Sequence, residues 1–191
     1  MQNYINHFIT ITKHRHMVLV MAFKSHMFYQ GLVHDLSKYS FIEFYNGAKY
    51  YAGDKSPIGN ERDNKGHSDI YLHHKGRNKH HFEYWYDPYS QNNHTTMPDK
   101  YILESILDRI AAAKIYLKDS YTNGSALEYF YNDQRITSLM NYEERSKFEY
   151  LLKYLKDYGE DELFKLINLC YKKNILKNKT FIKVLFFSIE Y

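Results

Sequence analysis

The chain has a single cysteine, Cys170, among 191 residues, which excludes an internal disulfide and fits a reducing, cytoplasmic setting. It has no apolar run approaching the roughly 20 residues needed to cross a bilayer, so no membrane span is expected. Its opening, Met1-Gln2-Asn3-Tyr4, lacks the basic stretch followed by an apolar one that would mark secretion. Charge of one sign is also in short supply. The formal balance of +4 fits a small anionic substrate and is too slight to argue for nucleic acid. Internal repeats, low-complexity segments and interdomain linkers are missing too, and this length suffices for one domain with a core.

What the chain has in excess is rings. Its 21 Tyr and 12 Phe predict an aromatic core in which each tyrosine hydroxyl needs a partner or solvent. Its 11 His matter more, because imidazole is the commonest metal ligand and titrates near neutral pH. They come in groups: His14 with His16, His73 with His74, and His80 with His81.

The dominant period is helical. Apolar residues recur at three- and four-residue spacing from about Ile5 to Met27, predicting a stripe of Met17, Val20, Met21 and Phe28. Gly31 breaks the pattern, and a second short helix carrying Leu32, Val33 and Leu36 is expected to follow it. Ser40 and Glu43 have capping-box spacing, starting a helix at Phe41 that runs to about Tyr51. The stretch Gly53 to Gly66 reads as a long loop. Ser68 can cap a helix ending at Gly76, with His73 and His74 in its last turn. Pro98 opens a helix to about Lys118, Asn141 with Glu144 opens one that stops at Gly159, and another spans about Asp161 to Lys173. The expectation is an all-α, single-domain helical bundle over residues 1–175, followed by a tail, 176–191. Within that tail, Phe181 to Tyr191 (FIKVLFFSIEY) reads equally as strand, helix or the contact of a homo-oligomer.

Chemistry concentrates in a few segments. Gly31 to Ser40 (GLVHDLSKYS) holds adjacent His34 and Asp35, with Lys38 one turn on. Adjacent side chains on a helix diverge by about 100°, yet both can reach one ion at its edge. Imidazole with carboxylate suits Zn, Fe, Mn, Ni or Co. His14 begins an apolar stripe; His16 competes with it, and Val18 favours His14 as the inward residue. The segment His73 to Trp85 (HHKGRNKHHFEYW) holds four histidines in nine residues, and His74 with His80 or His81 are its favoured ligands. Asp108 lies among Ile106, Leu107 and Ile110, where a buried carboxylate needs a partner. Glu83 and Glu104 are candidate bases beside the ligands, while Lys38, Arg77, Lys79 and Arg109 are candidate holders of an anionic group. Asn78 is expected to turn the chain, Trp85 to join the core, and His26, His67 and His94 to lie on the surface or in loops.

The order His14, His34-Asp35, histidine cluster, Asp108 resembles the HD-domain superfamily of helical metal-dependent phosphohydrolases. The text HDLSK is similar to the HDxGK form of many members. The resemblance implies His14, His34, Asp35 and Asp108 as ligands of one ion, the extra histidines as ligands of a second, and Lys38 near a substrate phosphate. A closer resemblance, over roughly residues 10 to 170, is to a group of bacterial and phage proteins with an HD-like arrangement, some labelled catalase. The motifs that carry it are His14, HDLSKYSFIEF, HHKGRNKHHFEYW, and Glu104 with Asp108 before Ala111; no haem-ligand signature accompanies them.

The expected activity is hydrolysis of a small phosphorylated substrate, dependent on one or two divalent ions that bring the pKa of water to about 7. Lys38, Arg77 and Glu104 are the expected catalytic residues, and the stretch Asp54 to Lys65 the segment that closes over the substrate. Two other readings are a diiron oxygenase on the same ligands and a protein that only binds a nucleotide or nucleic acid, with Tyr71, Phe82 and Trp85 stacking on bases beside Arg77.

Overall fold

The buried face of the first helix is set by His7, Ile11, His14, Val18, Met21 and Ala22, which recur at three- to four-residue spacing. That stripe differs from the one expected: Val20 and Phe28 are exposed and Met17 only half-buried, because the true face carries two histidines that apolar counting passes over. In the computed structural model, which describes residues 1–90 and 93–173, this helix is α1, Gln2–Lys24. The chain turns at His26, whose φ is +58°, into α2, Phe28–Val33.

Gly31 lies inside α2 and does not end a helix. A Cβ there would come within 2.7 Å of Ala22 Cβ, so the missing side chain lets α2 fold back onto α1. A 3₁₀ turn, Leu36–Tyr39, leads to α3, Phe41–Lys49, where the Ser40 hydroxyl accepts from Glu43 N at 3.4 Å. The stretch read as a loop contains α4, Pro57–Lys65, with proline in its first turn and Gly66 after its end at φ +79°. Ser68 caps α5, Asp69–Lys75, which ends at Gly76 as expected.

The central element is α6, Asp99–Leu117. It is buried without interruption from Ile102 to Leu107, including Glu104 and Ser105, and packs against α1 and later helices. Two short helices had no sequence signal: α7, Ser125–Asn132, and α8, Gln134–Thr137. α9, Tyr142–Tyr158, begins with a full capping box of Asn141 and Glu144, and α10 is Glu160–Lys173. The core joins α6 (Ile106, Leu107, Ile110) to α9 (Phe148, Leu151, Leu155) and α10 (Leu163, Ile167). Each such buried side chain contributes about 1.5–3 kcal/mol.

The described residues thus form an all-α bundle whose β content is one isolated bridge, Tyr86 with His94. No described helix is long and apolar enough to cross a membrane. The tail 176–191, with its possible oligomer contact, lies outside the described residues.

Candidate metal centre

His34 and Asp35 do not sit on a helix. His34 follows the last residue of α2, and Asp35 takes up left-handed backbone at φ +52°, ψ +27°. A non-glycine residue held there costs about 1 kcal/mol or more, and such strain clusters at functional sites. The sharp turn, rather than a helix edge, points both side chains inward. Arg15 clamps it from α1, donating through Nε to the His34 carbonyl at 2.7 Å and through Nη2 to the Leu32 carbonyl at 3.1 Å.

Two groups of donors meet at Asp35, each with ligand atoms within 4.8 Å of one another. The first combines His14 from α1, His34, Asp35 and Asp108 from α6. His14 Nε2 lies 2.9 Å from Asp108 Oδ1, 3.4 Å from His34 Nε2 and 3.5 Å from Asp35 Oδ2. The second combines Asp35 with His74 from α5 and with His80 and His81 from the loop after it. There His74 Nε2 stands 3.0 Å from His81 Nε2 and 3.3 Å from Asp35 Oδ1, and His80 Nε2 is 3.5 Å from the same oxygen. Donors about 2.0–2.1 Å from a shared ion lie about 3.0–3.4 Å apart in octahedral or tetrahedral geometry. Asp35 Oδ1 and His80 Nε2 are buried without a hydrogen bond, while Asp35 Oδ2 is met by Lys38 Nζ at 2.6 Å. Unpartnered polar atoms converging in this way fit a bound cation. These buried groups could hold a metal ion.

The imidazoles are held from behind by carboxylates. Glu104 Oε1 accepts from His34 Nδ1 at 2.9 Å and lies 3.1 Å from His80 Nδ1. Glu43 takes His74 Nδ1 at 2.7 Å and His73 Nδ1 at 2.6 Å. With Nδ1 committed, Nε2 of His34, His74 and His80 is left facing the centre, the pattern that fixes tautomer and ring orientation around metal ions. Asn78 secures the same region, donating to the His74 carbonyl at 2.8 Å and Ser37 Oγ at 2.7 Å.

Electrostatics favour positive charge at this point. Burial alone would raise the carboxyls of Asp35 and Asp108, but the facing imidazoles, with Lys38 beside Asp35, hold both well below the usual range. Glu104 and Glu43 are likewise lowered against burial by their histidines. Burial would lower His34, yet Asp35, Asp108 and Glu104 raise it well above an ordinary imidazole. His81 is pushed well below by burial and by His80 and His74.

The centre opens into a cavity of about 810 Å³, within the range of small-molecule sites. Its wall includes Lys38, Asp108, Arg109, Tyr129 and residues of α4, the segment expected to be a closing loop and found instead to be a helix from Pro57. Several expected roles change. Arg77 is exposed and donates to the His73 carbonyl at 3.3 Å, away from the cavity wall, because it follows the end of α5 and points outward. Lys79 is exposed too. Glu104 is buried behind His34 and His80 and holds them in position, so a catalytic role does not suit it. Glu83 lines the same cavity but accepts from the Tyr71 hydroxyl at 2.6 Å. His14 faces the centre whereas His16 is exposed; both His80 and His81 join the second group. His26 and His67 are exposed as expected, whereas His94 is largely buried, 3.6 Å from Glu144 Oε2. Trp85 packs against the core. Sequence reasoning missed Glu43, seen only as a capping residue, and Arg15; the position of Arg15 next to His14 was the one available signal.

Fold and site together define a helical protein with buried His/Asp/Glu groups able to hold metal. A family model described as a family of unknown function (DUF5662) matches residues 3–154, and the chain belongs to that family. The match takes in every donor named above. No curated protein and no solved structure matches the chain.

Proposed function

We propose that the protein is a divalent-metal-dependent phosphohydrolase of HD type, holding two transition-metal ions and acting on a small phosphorylated substrate. The observation that carries this reading is Asp35, which offers Oδ2 to the first donor group and Oδ1 to the second. Two ions bound to such donors supply water of lowered pKa and polarise a phosphoryl oxygen. The chain does the rest. Glu104 and Glu43 keep the Nε2 atoms aimed inward; Lys38, kept charged by Asp35 and Asp108 despite burial, meets negative charge developing on phosphate oxygens. The apolar part of the cavity wall, including Ile11, Ile70 and Ala112, limits water around the reacting group. A screen of phosphomonoesters and phosphodiesters with Mn, Zn, Co, Ni or Fe tests this. Turnover that disappears in Asp35→Asn supports it; no turnover with any ion in the wild type contradicts it.

A second reading is an HD-type diiron oxygenase. It draws support from the second donor group, where three imidazoles join one carboxylate, a set that suits iron. Two irons per chain and an optical spectrum that changes on admission of air favour this reading; zinc or manganese with phosphatase turnover favours hydrolysis.

A further inference from the structure

The cavity wall contains a cation that the metal chemistry does not use. Arg109 follows Asp108 on α6, and its guanidinium lies 5.0 Å from the Phe148 ring centre and 5.5 Å from that of Tyr129. Its Nε is buried without a hydrogen bond, and among the described residues the side chain forms no ion pair. Other sheltered cations here are matched: Lys38 with Asp35, Lys114 with Glu160, and Lys147 with Asp99 and Glu143. The acidic groups around Arg109 are engaged elsewhere, Asp108 with His14, Glu83 with Tyr71, and Asp133 near Arg135 at 3.8 Å. A half-buried guanidinium whose Nε has no acceptor, and on which the nearby carboxylates act only from beyond ion-pair distance, is costly to keep, so its place on a cavity wall points to an anion that arrives with a ligand.

We propose that Arg109 binds a second anionic group of the cavity's ligand, a phosphate or carboxylate set apart from the group at the metal centre. The two flanking rings hold the guanidinium so that its planar fork can make a two-point contact with such an anion. Asp108 and Arg109 are consecutive and line the same cavity, so one small molecule can reach both the centre and the arginine. The substrate is then a doubly anionic small molecule, a bisphosphate or a phosphorylated carboxylic acid. This deepens the phosphohydrolase reading and rests on it for the first of the two anionic groups.

The test is calorimetric titration of the full chain, loaded with metal and freed of excess ion, with methylphosphonate, methylenediphosphonate and phosphonoacetate. Metal content is measured before and after each titration. At least one two-anion probe is expected to bind the wild type roughly 10- to 100-fold more tightly than methylphosphonate. Which probe does so separates phosphate from carboxylate. Arg109→Gln is expected to abolish that advantage while keeping methylphosphonate affinity and metal content, and Arg109→Lys to restore part of it. An unchanged advantage in Arg109→Gln, or none in the wild type, overturns the proposal. If the protein takes up no metal, the phosphohydrolase reading fails while Arg109 is still decided. Methylphosphonate binding to metal-free wild type that is lost in Arg109→Gln supports the proposal; equal or absent binding overturns it. Thermal melting without probe guards against a folding artefact. Arg109→Gln should melt no lower than the wild type, and a marked drop would assign the arginine to the core and also overturn the proposal.

Discussion

The Nε2 atoms of His74 and His81 face each other across 3.0 Å. His74 has given its Nδ1 to Glu43, and burial with two neighbouring imidazoles keeps His81 neutral. Two lone pairs cannot share that gap without a proton or a cation between them. The same holds around Asp35, whose two oxygens serve the two donor groups.

Asp35→Asn removes the carboxylate common to both groups. Metal affinity is expected to fall by at least about 100-fold, beyond the 10- to 100-fold typical of losing an outer partner. Competition with a chromophoric chelator measures it. Asp35→Gly should lose metal equally, because it too lacks the carboxylate although glycine adopts the left-handed backbone freely, so the loss follows the side chain and not the turn.

Glu104→Gln and Glu43→Gln separate the two groups. Glu104 supports His34 in the first and His80 in the second, whereas Glu43 supports only His74 among the donors. Glu104→Gln should weaken binding of both ions by about 10- to 100-fold, and Glu43→Gln mainly that of one. Stepwise metal titration distinguishes the outcomes; identical effects from both variants would count against the assignment.

Arg77→Ala is expected to leave turnover within about twofold of the wild type, because the side chain is exposed and off the cavity wall. Lys38→Met should lower kcat by about 100-fold or more, the scale of losing one donor to developing charge. Steady-state kinetics on the best substrate of the phosphatase screen tests the contrast.

His7 provides a pH dependence away from the ligands. Burial, with Lys38 adding to it, lowers His7 to about 4, and its ring packs so closely on Gly47 that a Cβ there would collide with it. Its depressed value means the folded chain holds it neutral while the unfolded chain protonates it near the ordinary value of about 6.5. Stability from this group is therefore present above about pH 6.5 and lost as pH falls toward 4, up to about 3 kcal/mol. Denaturant melts of chelated protein should show that loss shrinking in His7→Leu; equal acid sensitivity in both proteins would rule it out.

Much of this was readable from the chain, and the failures have physical causes. His14, His34-Asp35, the histidine cluster and Asp108 could be singled out by residue type and by the resemblance of their order to the HD pattern, and the fold brings them together as donors that could hold a metal ion. The helices starting near Ser68, Pro98 and Asn141 were readable because their starts carry local signals, a side-chain cap at Ser68 and Asn141 and a proline at Pro98. α4 was not, since its residues are polar almost throughout and only Pro57 and Glu61 are buried. The inward turn of Asp35 depends on a left-handed residue and on Arg15 from another helix, which no spacing rule contains. Glu43 was hidden by its own capping signal: Ser40 accepts from its backbone, while its carboxylate leaves the cap for His73 and His74. Arg77 misled because composition tells nothing of direction.

Elemental analysis of the protein purified without added metal tests the central claim most directly. Two transition-metal ions per chain, with chelation lowering the melting temperature and Asp35→Asn carrying neither ion, is the predicted result. Protein that purifies metal-free, takes up none when it is offered, and melts identically with and without chelator would contradict it.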